Sequence, residues 1–139
     1  MNRINVKFIE DFTETLPTDC IKADYFEMST FKTLYNNTSG TTGTVILSET
    51  SANFKYIEIF GRYGTAYYTS VKIPNPNGKH FNITAGMMNQ TVSLGYVASS
   101  NYNISETTIA PVYYGEWTLA NSTFSGDNKI YIIKIVGYR

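Results

Sequence analysis

Cysteine and histidine each occur once in the 139 residues, as Cys20 and His80. An internal disulfide is therefore excluded, as are zinc sites built from several cysteines and metal motifs that need two histidines. Charge of one sign is also lacking. Eleven Lys and Arg balance eleven Asp and Glu, and charged residues make up only 16% of the chain. A nucleic-acid binder draws its affinity from an excess of cations over phosphates, and a polybasic membrane anchor needs the same excess, so neither class fits. No apolar run approaches the roughly 18 residues of a spanning helix, which argues against membrane insertion. The first residues lack the long apolar stretch of a secretory leader, so the expectation is no signal peptide and synthesis in a cytoplasm without export by that route.

Neutral polar and aromatic side chains are abundant instead. Asn, Ser and Thr together supply 42 of the 139 residues, and twelve Tyr, eight Phe and one Trp bring the aromatic share to 15%. Hydroxyl, amide and aromatic side chains suit half-buried pleated surfaces joined by polar turns, whereas the long charged residues of surface helices are scarce. The composition points to an all-β chain, and the length to one domain.

Six acids (Glu10, Asp11, Glu14, Asp19, Asp24, Glu27) and one base, Lys22, occupy residues 10–27, while the rest of the chain holds ten bases and five acids. Residues 1–30 are accordingly read as an acidic N-terminal arm or lead-in, either a docking arm for a basic surface or a solvated segment. Pro17-Thr-Asp19 is a start signal for one small helix with Ile21, Tyr25 and Met28 on one side. From residue 31 onward strand signals are dense. Alternating runs at 31–36, 44–49, 54–62, 65–73, 79–84, 90–98, 107–113, 116–120 and 129–138 are separated by turn chemistry at residues 37–43, 61–64, 74–78 and 125–128. Asn77-Gly78 is the strongest of these turn signals, and a return antiparallel strand is expected after it. About eight to ten short strands at this spacing predict an antiparallel β-sandwich, jelly-roll-like, over residues 31–139.

Two of the predicted strands are apolar on both faces. Ile57 and Ile59 oppose Phe54, Tyr56 and Phe60, and Ile130, Ile132 and Val136 oppose Tyr131, Ile133 and Ile135. One face fills the core. The second must also leave water, so Phe54, Tyr56, Phe60, Tyr131, Ile133 and Ile135 are candidates for a contact between copies of the chain, with cover by the N-terminal segment or by loops as the alternatives.

Three segments carry a family resemblance. The first runs over residues 34–60, from Leu34-Tyr-Asn-Asn-Thr-Ser-Gly-Thr-Thr-Gly43 to Phe54-Lys-Tyr-Ile-Glu-Ile-Phe60. The second is Ser70-Val-Lys-Ile73 with Asn77-Gly-Lys79. The third is the closing Ile130-Tyr-Ile-Ile-Lys-Ile-Val-Gly-Tyr-Arg139. Together they resemble the C-terminal receptor-binding module of tail-fibre proteins from phages and prophages of Gram-positive bacteria. The resemblance implies a virion component made in a bacterial cytoplasm, located at the distal phage tail beside other tail proteins, and contributing to host attachment as a homo-oligomer, with a trimer favoured.

Catalytic chemistry finds little support in the residues. Glu58, Glu106 and Glu116 are the acids of the strand-rich body suited to glycoside hydrolysis, which needs two carboxylates facing each other across a sugar, and no spacing pairs them. His80 has no nucleophile or orienting acid near it in sequence, and Cys20 lies far off in the acidic segment. The glycines form no phosphate-binding loop, and no cofactor or metal pattern is present. Asn-x-Ser/Thr sequons begin at Asn36, Asn37, Asn82, Asn89, Asn103 and Asn121, a number expected from composition and read as turn chemistry.

Tyr113-Tyr-Gly-Glu-Trp117 is the one constellation with ligand-binding character. Trp117 offers a flat aromatic face for the apolar side of a sugar, and Glu116, Tyr114 and Tyr113 offer partners for its hydroxyls. Tyr67 and Tyr102 are added as candidates, together with Tyr63, Tyr68 and, on an expected loop, Asn101 and Asn103. The bland reading puts Trp117 in the core and the tyrosines in subunit contacts. The function expected is a non-enzymatic tail-fibre or receptor-binding module that adheres to host cell-surface saccharide. A carbohydrate-binding module or glycan-degrading enzyme fragment, and a purely architectural virion protein, are the alternatives.

Overall fold

Alternation of apolar and polar residues organises the chain into two antiparallel sheets. The computed structural model describes residues 31–89 and 94–139, and the acidic lead-in, its small helix and Cys20 lie outside them. Among the described residues nine strands follow one another: β1 (Phe31–Thr41), β2 (Val45–Ile46), β3 (Tyr56–Tyr63), β4 (Tyr67–Pro74), β5 (His80–Asn89), β6 (Leu94–Ser105), β7 (Thr108–Thr118), β8 (Thr123–Ser125) and β9 (Ile130–Tyr138). Among the described residues the sole helical element is a 3₁₀ turn at Ser51–Asn53, whose first free N–H, on Ala52, is capped by the Thr50 hydroxyl at 3.4 Å.

The first sheet has the order β1-β9-β3-β4, and the second β2-β7-β6-β5 with β8 also paired to β7. This is an all-β sandwich. Its jelly-roll character lies in β1 and β2, successive strands that enter different sheets and pair there with β9 and β7. Elsewhere, β3–β4 and β5–β6–β7 are plain hairpin neighbours.

β3 shows why these residues make strands. Ile57, Ile59, Gly61 and Tyr63 are buried and alternate with half-buried Tyr56, Glu58, Phe60 and Arg62. The inward residues meet Ile130, Ile132 and Ile135 of β9 and Ile83, Tyr102, Ile104 and Ile109 of the second sheet in one contiguous core. Gly61 belongs to the strand and not to the turn. A Cβ there would come within 2.8 Å of Ile83 Cδ1, and the tight turn falls at Gly64, with φ of +60°.

Three expectations are corrected by the topology. Asn77-Gly78 does form a turn, with Lys79 N–H donating to Pro76 O at 3.1 Å and Gly78 at φ of +71°, but the chain does not return beside β4. β5 crosses to the other sheet and pairs with β6. The two strands expected at 107–113 and 116–120 are one, β7, which runs unbroken through Gly115. Asn101 and Asn103, expected on a loop, stand in the middle of β6. Asn128, after the 125–127 turn, ties the sheets together: its Nδ2 donates to Thr42 O at 2.8 Å, and its Oδ1 accepts from Ser100 Oγ at 2.7 Å.

The closing strand departs from simple alternation. Gly61 pairs with Ile132 and Phe60 with Lys134, so Ile133 is an extra residue, a β-bulge. Beyond it the phase reverses. Ile135 turns into the core opposite Ile59, and Val136 turns to the other face opposite Glu58, where it is still buried. Gly137 then faces inward, and a Cβ there would sit 2.5 Å from the Phe54 ring.

Candidate functional site

The site expected around Trp117 divides between two places. On β7, Tyr113, Gly115 and Trp117 face outward from the second sheet, and Glu116 faces the opposite way. Register then fixes the neighbours. Asn82, Asn101 and Tyr113 form one row across β5, β6 and β7. Thr84, Ser99 and Gly115 form the next, and Gly86, Val97, Trp117 and Phe124 a third that reaches β8. His80, Asn103 and Ala110 make a further row beyond Asn82.

Trp117 is 51% exposed, Tyr113 74% and Phe124 56%. Large aromatics are usually mostly covered, so three at these exposures within one patch make an unusual surface. The Trp117 and Phe124 rings lie 5.1 Å apart, tilted by 51°. Phe124 leans over Gly115, where a Cβ would come 2.2 Å from its ring, which explains a glycine in mid-strand. With Tyr114, Ser99 and Asn101 these residues line a shallow cavity of about 180 Å³.

A ladder of neutral groups runs on from it. Asn82 Nδ2 donates to Ser99 Oγ at 2.7 Å and to Asn101 Oδ1 at 3.2 Å. Thr84 Oγ1 donates to Asn82 Oδ1 at 2.6 Å. These bonds hold the amides and hydroxyls in a single arrangement on a rigid sheet.

Five ligand candidates lie elsewhere: Tyr102, Glu116, and Tyr63, Tyr67 and Tyr68 of the first sheet. Tyr102 is fully buried. It stacks on Phe81 with ring centroids 5.2 Å apart, and burial pushes its phenol up from its usual pKa. The inward phase of β6 puts it there, beside Ala98, Ser100 and Ile104. Tyr67 is on β4 in the first sheet, its ring 6.4 Å from that of Tyr63. Glu116 opens into a separate cleft of about 370 Å³ with Tyr63, Gly64, Met87, Lys129 and Tyr131. The Tyr63 hydroxyl donates to its carboxylate, and burial together with this bond raises the phenol's pKa. Glu116 is the only acid among the residues lining that cleft. Glu58 is on the outer face of the first sheet, taking hydrogen bonds from Ser70 and Tyr138, and Glu106 is in the β6–β7 turn. Among the described residues no group of three His, Cys, Asp or Glu could hold a metal ion.

The proposed contact face also changes membership. Phe54 precedes β3 and is buried under Gly137, and Ile135 is in the core, so neither lies on an outer face. Tyr56, Phe60, Tyr131 and Ile133 are half-buried. Tyr56 stacks on Tyr138 at 4.5 Å, Lys72 lies 5.7 Å over the Tyr56 ring, and Arg62 lies 5.7 Å over Tyr131. Phe31 and Tyr68, each 67% exposed, extend this face.

Phe124 and Ser99 were not singled out from sequence, Gly115 appeared only as the glycine of the Tyr113–Trp117 run, and Asn82, a sequon taken as turn chemistry, stands inside β5. The period-two pattern of Tyr96, Ala98, Tyr102 and Ile104 was the available signal: it turns those residues inward and Ser99, Asn101 and Asn103 outward. Compared with known proteins, the chain matches no protein-family model and no curated protein.

Proposed function

We propose that the chain is a tail-fibre or receptor-binding module of a phage or prophage of Gram-positive bacteria, adhering to host cell-surface carbohydrate without cleaving it. The observation that carries this reading is the cluster of exposed Tyr113, Trp117 and Phe124 beside the Asn82–Ser99–Asn101 ladder. Aromatic faces accept the apolar side of a sugar, and amide and hydroxyl groups both donate and accept, as sugar hydroxyls do. The three segments that resemble the tail module add the virion setting, with other tail proteins as neighbours.

In this reading the protein works as a homo-oligomer, with a trimer favoured. Each shallow site binds weakly, and linked copies raise avidity without stronger individual contacts. Half-buried Tyr56, Phe60, Tyr131 and Ile133, with exposed Phe31 and Tyr68, are the surface that copies would cover. Incubation with purified Gram-positive wall polysaccharide tests the function. Retention without released oligosaccharide is the expected result, and no retention at all favours an architectural virion protein. Sedimentation at micromolar concentration tests assembly, and a strictly monomeric species overturns it.

A second reading, a glycan-degrading tail enzyme, would place its chemistry in the cleft that holds Glu116 with Tyr63 and Tyr131, which supplies one carboxylate of the two such hydrolysis uses. Release of oligosaccharide that stops in Glu116→Gln would establish it.

A further inference from the structure

We infer that the groove on the outer face of the second sheet selects an uncharged glycan over the phosphate- or carboxylate-bearing polymers of a cell surface, an inference that rests on the saccharide-binding reading above. Four rows define this face, from His80–Asn103–Ala110 to Gly86–Val97–Trp117–Phe124. No Lys, Arg, Asp or Glu stands in any of them. The first sheet's outer face, in contrast, carries Arg62, Lys72, Lys134 and Glu58. Neutrality is thus a property of one face and not of the whole surface.

The consequence follows from desolvation. An anion set down on Trp117 and Ser99 gives up water and finds no countercharge, whereas proteins that bind phosphate or carboxylate supply Arg, Lys or a helix N-terminus. A neutral sugar meets no such penalty. Asn82 uses its amide on Ser99, Asn101 and Thr84, which leaves the Asn101 nitrogen and the Tyr113 hydroxyl outside the ladder, beside the aromatic cavity.

The groove also has a direction. From the cavity at β6–β8 the row Thr84–Ser99–Gly115, all small residues, continues across to β5, about 10 Å over three strands at ordinary spacing. It is polar over β5 and β6 and aromatic at the β7–β8 end, where Phe124 covers Gly115. A glycan lying across the strands therefore stacks at one end and hydrogen-bonds at the other.

The test uses the whole chain on an array of neutral hexose and N-acetylhexosamine oligomers beside glycerol-phosphate and uronate oligomers of the same length. Binding to the neutral set alone is expected, unchanged when salt is raised about tenfold. Trp117→Ala should weaken it about tenfold or more, with Tm confirming that the variant is folded. Asn101→Lys should gain glycerol-phosphate binding. Equal or stronger wild-type signal on the anionic oligomers, or salt-sensitive binding, overturns the inference and leaves carbohydrate adhesion standing. An Asn101→Lys protein that still ignores glycerol phosphate overturns the placement of the groove. Silence of both sets overturns the inference and the adhesion reading together.

Discussion

On the outer face of the first sheet, Phe31 and Tyr68 stand exposed, while other aromatic rings pack on one another and under charges. Tyr56 stacks on Tyr138, Lys72 and Arg62 lie over rings, and the Tyr138 hydroxyl donates to Glu58. On the outer face of the second sheet, Tyr113, Trp117 and Phe124 stand half or more exposed beside neutral amides and hydroxyls. Both faces look alike in composition, since each is rich in aromatic residues. What separates them is what stands beside the rings, charges on the first sheet and neutral amides and hydroxyls on the second, and that depends on register, which composition does not reveal.

Substitutions can break this contrast, and the largest effect is expected from a residue on neither face. Tyr102→Ala removes a fully buried ring stacked on Phe81 and should cost about 3–5 kcal/mol, read from urea denaturation. A small loss would return Tyr102 to the surface. Gly137→Ala forces a methyl against the Phe54 ring and should destabilise by about 1–3 kcal/mol in the same measurement.

The two faces are then set directly against each other. Tyr56→Ala should lower stability by about 1 kcal/mol through loss of the Tyr138 stack, and leave the affinity of a single site for a soluble monovalent oligosaccharide unchanged. Trp117→Ala should do the opposite, with stability within about 0.5 kcal/mol of wild type and binding lost. If the two variants exchange phenotypes, the assignment of roles to the faces is reversed.

The last effect is confined to acid. Lys32, Asn53 and Arg139 hydrogen-bond Glu49 and hold its pKa at about 2 in place of 4.5. A carboxylate with a depressed folded pKa contributes stability that is present above the unfolded value and lost as pH falls through the folded one. Tm should therefore fall between about pH 4.5 and 2, and Glu49→Gln should flatten that slope.

Much of the fold was legible in the sequence because strands announce themselves by alternation, and Asn77-Gly78 and residues 125–128 by turn chemistry. Trp117 and Tyr113 were legible as neighbours in a candidate site because one short run holds them. Partner strands were not legible. Whether β5 follows β4 back into its sheet or crosses depends on long-range pairing, and Gly115 read as a break because its reason, the Phe124 ring, arrives nine residues later. Tyr102 was misread for the same reason: its neighbours in sequence are polar, while its neighbours in space are Phe81 and the core.

The extra residue in β9 sets how this strand tolerates changes in length. Deleting Ile133 would remove the bulge and leave Ile132, Lys134 and Ile135 opposite their present partners. Deleting Ile135 instead would draw Val136 and Tyr138 inward and turn Gly137 out, leaving Phe54 without the flat backbone on which it rests. Shortening of this terminal ribbon is therefore forgiven at one position, and insertions and deletions among natural variants should collect there.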